Sequence, residues 1–67
     1  MKITKETRYG IEAEGPRGVG GVYQNNGVRG GTYFEAWAHI TETDEFKKLA
    51  TRATYQKAVA LVEHEIG

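Results

Sequence analysis

The chain contains neither cysteine nor serine. Without cysteine there can be no disulfide and no thiolate metal site, and the two absences together remove the commonest covalent nucleophiles. A cysteine-free chain fits a reducing compartment, so a cytoplasmic location is expected. Long apolar runs are missing too. Nothing approaches the roughly 20 apolar residues of a membrane span, and Met1-Lys2-Ile3-Thr4-Lys5-Glu6 has no apolar stretch of signal-peptide type. No membrane partner is expected. Charge of one sign is also absent, since Lys plus Arg and Asp plus Glu each number 9. A domain that depends on phosphate contacts usually carries a clear basic excess, so charge does not select nucleic acid.

What is present fits one small domain. At 67 residues, the chain has room for a single core spanning 1–67, and a chain of this size buries only about 60% of its unfolded surface. Seven of its 9 glycines fall in Gly15–Gly31, GPRGVGGVYQNNGVRGG. So many glycines cannot continue a helix. They predict turns and short strands, with a mobile glycine-rich loop as the alternative. Asn26-Gly27 is the pair preferred at the centre of a type I′ hairpin turn, with Val22-Tyr23 and Val28 as the flanking strands.

The clearest strand is Thr32–Ile40. Alternation puts Phe34, Ala36, Ala38 and Ile40 on one face and Tyr33, Glu35, Trp37 and His39 on the other. A strand near Thr7–Glu14 sets Tyr9, Ile11 and Ala13 against Arg8, Glu12 and Glu14. From Thr54, a predicted N-cap, an apolar stripe of Tyr55, Ala58, Val59, Val62 and Ile66 predicts a C-terminal helix over about 54–66, with Leu61 at its edge. One helix running from Asp44 to Ile66 fails, because Phe46, Ala50 and Ala53 point nearly opposite to Tyr55, Val59 and Val62 at about 100° per residue. Phe46–Thr51 is therefore either a second helix or, as preferred here, a strand returning beside Thr32–Ile40. The expected fold is α+β: a three- to four-stranded antiparallel sheet over about 7–51, with one helix on one face.

No constellation for catalysis or cofactor binding emerges. His39 and His64 lack metal-ligand spacing, and His64 between Glu63 and Glu65 suits a solvated position. Glu12 and Glu14 share one side of a strand, as exposed strand carboxylates routinely do. The glycine-rich segment has no GxxxxGK[ST] pattern and no helix directly after it, so turn formation explains it better than a phosphate cradle. No enzyme activity, metal or cofactor is expected. A single helix covers only one sheet face, which leaves Tyr33, Glu35, Trp37 and His39, joined by Tyr23, as the candidate partner-binding surface. Trp and Tyr anchor interfaces because they bury much apolar area with few rotors. The competing reading packs Trp37 beneath the Gly15–Gly21 loop.

Gly21-Val22-Tyr23-Gln24-Asn25-Asn26-Gly27, Tyr33-Phe34-Glu35-Ala36-Trp37-Ala38 and Leu49 through Val62, with Thr54 before the helix and Ala58 within it, resemble the AP2-like fold. That fold includes the arm-binding N-terminal domains of tyrosine recombinases. The resemblance covers roughly two-thirds of the chain, through short motifs. It implies three antiparallel strands, one helix, and a sheet placed in the DNA major groove. This chain departs from the pattern: Gln24-Asn25-Asn26 stands where the first turn usually carries Lys or Arg, and Trp37 where the middle strand points Arg at DNA. Arg17, Arg29, Gln24 and Asn25 remain the candidate nucleic-acid contacts. The leading expectation is a non-enzymatic protein-binding module, an accessory or inhibitor protein of phage or mobile-element type acting on an unidentified protein target. A double-stranded DNA binder is the alternative. A homodimer joined through a strand edge or the aromatic face is compatible with both.

Overall fold

The computed structural model describes residues 1–27, 30–49, 51 and 54–67. Five strands and one helix follow in order: β1 (Lys2–Thr7), β2 (Gly10–Gly15), β3 (Gly18–Asn26), β4 (Thr32–Ile40), β5 (Glu45–Lys48) and α1 (Tyr55–Ile66). Each strand pairs antiparallel with its neighbour in sequence, giving a meander β1-β2-β3-β4-β5. The α+β architecture matches expectation, with α1 packed on β2, β3 and β4.

The sheet is wider than the three or four strands expected and starts at Lys2 rather than near residue 7. β1 left no period-two signal because all six of its residues are exposed, so no apolar face marks it. The strand expected over Thr7–Glu14 begins at Gly10, because Arg8-Tyr9 forms a two-residue turn between paired Thr7 and Gly10. There the Thr7 hydroxyl accepts from the Tyr9 N–H. Tyr9, expected beside Ile11 and Ala13, is therefore exposed in that turn.

The glycine-rich segment is mostly a central strand. β3 is nine residues long and pairs along its whole length with β4. Asn26 ends β3 opposite Thr32, so Asn26-Gly27 is not the two-residue turn centre. The connection instead runs over 27–31, where Gly30 takes a φ of 81° and its N–H donates to the Gly27 carbonyl. Val28 and Arg29 lie outside the described residues, as does the pairing expected of Val28. Glycine serves β3 by letting the helix approach. A Cβ on Gly20 would sit 2.8 Å from Val62 Cγ1.

β5 returns beside β4 as preferred, but is limited to Glu45–Lys48. It follows a four-residue turn, Thr41–Asp44, that closes with Asp44 at φ 53°. α1 starts at Thr54, whose hydroxyl accepts from the Lys57 N–H. It ends where the Ile66 carbonyl accepts from the Arg17 N–H in the β2–β3 turn. The core is Ile11, Ala13, Val22, Ala36, Ala38, Ile40, Ala58, Val62 and Ile66. Four of these nine are alanine, so the helix and sheet backbones come close. Tyr55, expected in the buried stripe, remains partly exposed and meets Phe34 edge-on at 5.8 Å. In the last turn of the helix, Glu65 is reached by Lys47 of β5 at 3.5 Å.

Candidate functional site

The antiparallel registers align side chains into rows that cross the strands. On the face away from α1, one row is Lys5, Glu12, Gly21, Trp37 and Lys48. Beside it toward the β3–β4 turn lie Thr7, Gly10, Tyr23 and Glu35; on the other side lie Lys2, Glu14, Val19, His39 and Phe46. Tyr33 lies further along β4, opposite Asn25. The five residues expected to form a binding surface, Tyr23, Tyr33, Glu35, Trp37 and His39, thus occupy one face on two adjacent strands.

Trp37 is half-buried on this outer face rather than in the core beneath the helix. Its indole stacks on Phe46, with centroids 5.9 Å apart and planes 18° from parallel; such a pair contributes about 0.5–1.5 kcal/mol beyond its area. The other support is a missing side chain. A Cβ on Gly21 would fall 2.6 Å from Trp37 Nε1 and 2.9 Å from Cε2, so the nitrogen edge of the indole rests directly over the glycine. No buried side-chain nitrogen or oxygen among the described residues lacks a partner. The indole N–H, which has no such partner, therefore reaches solvent.

Next to the indole edge is a groove of about 270 Å³ bordered by Lys5, Thr7, Gly10, Glu12, Tyr23 and Trp37. Its aromatic lining residues are Tyr9, Tyr23 and Trp37. Lys5 pairs with Glu12 at 3.8 Å on its rim. Tyr23 is 43% exposed. Its phenol has a pKa above the ordinary value, chiefly because it donates a hydrogen bond to Glu35, with partial burial and the charges of Glu35 and Tyr33 adding to the shift. It stays neutral at physiological pH. His39 Nε2 lies 2.8 Å from Asp44 Oδ1 in the β4–β5 turn.

Sequence reasoning missed Phe46, Gly21 and Lys48 as parts of this surface. Phe46 is 65% exposed and faces outward because it pairs with His39. Its outward position was implied once β5 was read as a strand, but only the register decides which face it takes. The nucleic-acid candidates, by contrast, are scattered. Arg17 sits in the β2–β3 turn, seven and eight residues along the chain from Gln24 and Asn25, which is on the order of 25 Å. Gln24 pairs with Phe34 and shares its face, whereas Asn25 lies opposite Tyr33 on the outer face. Arg29 lies outside the described residues.

Among the described residues, no group of three or more metal-ligating side chains comes together, and no helix is long and apolar enough to cross a membrane. Neither the protein families, the curated proteins nor the solved structures compared with the chain match it, so the AP2-like resemblance rests on its quoted motifs alone.

Proposed function

We propose that this chain is a non-enzymatic protein-binding module, of small accessory or inhibitor type, that presents its uncovered sheet face to a protein target. The observation that carries this reading is the placement of Tyr23, Trp37 and Phe46 opposite the helix. Partly exposed aromatic rings on a rigid sheet lose little side-chain entropy on binding, which is why such residues dominate interfaces. The surrounding charges are balanced, as suits a protein target better than a polyanion. A cytoplasmic setting fits the cysteine-free composition.

The double-stranded DNA reading has less support, because Arg17, Gln24 and Asn25 do not converge on one surface. Self-association through the sheet edges is opposed by the edges themselves. β1 carries Lys2, Lys5 and a register shift between Ile3 and Lys5, and β5 is four residues long with Lys47 and Lys48. These features discourage strand addition.

Affinity capture with mass spectrometry, with and without nuclease, tests the reading on wild-type and folded Phe46→Ala protein. A protein partner that survives nuclease and is lost with the variant supports it. Partners that vanish with nuclease favour DNA, and equal capture by both proteins excludes the aromatic face.

A further inference from the structure

We infer that the aromatic sheet face closes on the same face of a second copy, forming a weak two-fold dimer with β3 along the axis and both helices outside. The inference goes beyond the target-binding reading, whose face it shares, because a target must then displace the second copy. The monomer shows why. Its core is nine residues, four of them alanine, while Tyr23, Trp37 and Phe46 keep apolar area in water on the other side. Two such faces stacked about 10 Å apart make a second core from those rings. Both sheet edges are blunted, so self-association falls to the face.

Charge favours a second copy as the occupant. The chain has no net charge, and the face sets Lys2, Lys5 and Lys48 against Glu12, Glu14 and Glu35, so two copies carry no net repulsion. The register then chooses between the two axes in the plane of the face. An axis across the strands, along the Trp37 row, sets Lys5, Glu12 and Lys48 each against its own counterpart. An axis along β3 exchanges β2 with β4 and β1 with β5. Glu14 then meets His39 of the second copy, Glu12 meets the indole of Trp37, and Val19 and Tyr23 meet their counterparts. One like-charged pair remains, Lys5 against Lys48, at the margin where salt screens it. Five strands and the length from Val19 to Asn25 span about 24 by 20 Å, or about 1,000 Å² over both copies. That is the lower limit of a specific interface, which fits a reversible dimer with a dissociation constant on the order of 10–100 µM.

Sedimentation equilibrium of the full chain, from about 1 µM to about 1 mM, should show the mass rising from 7.4 kDa toward twice that value. The single tryptophan should move its emission to shorter wavelength over the same range, as the indole leaves water. Phe46→Lys, with its fold checked by circular dichroism, should weaken the dimer about 10-fold or more. Glu14→Gln should weaken it about 2- to 5-fold, the range of an exposed charged contact, and Glu35→Gln should leave it unchanged. The axis across the strands would bring Glu35 opposite His39 and reverse those two results. A constant monomer mass, a dimer whose emission does not move, equal dimerisation by Phe46→Lys, or dependence on Glu35 in place of Glu14 overturns the inference. A chain that stays monomeric yet captures a protein through Phe46 refutes this inference alone. A dimer with no captured protein refutes only the target-binding reading.

Discussion

The two faces of the sheet are built from opposite kinds of residue. The face under the helix is lined by Ala13, Gly20, Ala36 and Ala38 with Ile11, Val22 and Ile40, and its one ring, Phe34, is only partly buried against them. The open face carries Tyr23, Tyr33, Trp37 and Phe46. Large rings usually supply much of a core's buried area, and here the largest ring, Trp37, lies outside it. Close approach of helix and sheet explains the small inner residues, since even a methyl on Gly20 would press on Val62. Nothing in that packing requires rings on the other side. Stability therefore resides mainly on one face, and the aromatic area of the other is available for recognition.

The sharpest way to break this contrast is Ile66→Ala. Ile66 is fully buried, and its truncation should cost about 2–5 kcal/mol in urea unfolding. A loss below 1 kcal/mol would mean that the helix side does not hold the fold. Gly21→Val should come next, at about 1–3 kcal/mol from overpacking, with the tryptophan emission moving to longer wavelength as the indole is lifted off the strand. Unchanged emission would show that the indole does not rest there. Phe46→Ala removes more atoms than Ile66→Ala yet should cost only about 0.5–1.5 kcal/mol, the value of an aromatic pair. If the two variants lose the same stability, the division between faces disappears.

The smallest effect concerns Tyr23. Its folded pKa lies above that of the unfolded chain, so the folded state holds this proton more tightly. The stabilisation is complete below the unfolded tyrosine pKa and is lost as pH rises through the folded value. Glu35→Gln should bring the Tyr23 titration, followed by NMR of its labelled ring, back toward the ordinary tyrosine range. An unchanged titration would show that Glu35 is not the cause.

Much of this contrast could be read from the sequence at β4. The alternation in Thr32–Ile40 separates its two faces, and with a single helix available only one of them can be covered. The helix was legible for a similar reason, since Thr54 and the stripe through Ala58, Val62 and Ile66 agree on start and face. β1 was not, because a strand exposed on both sides has no hydrophobic period to detect. β3 was obscured by its glycines, which signal turns locally but here serve contacts with Val62 and Trp37, made by residues distant in sequence. For the same reason the site was legible in its aromatics but not in Phe46, whose outward face depends on the β4–β5 register.

The meander has a kinetic consequence. Every strand joins its immediate predecessor through a connection of two to five residues, so each ladder closes a short loop at little entropic cost. The long-distance step is the seating of α1, which brings Ile66 against the turn at Arg17. Local pairing favours rapid folding. The helix, held by the most remote contacts, is then the element whose docking should govern how fast the finished structure appears.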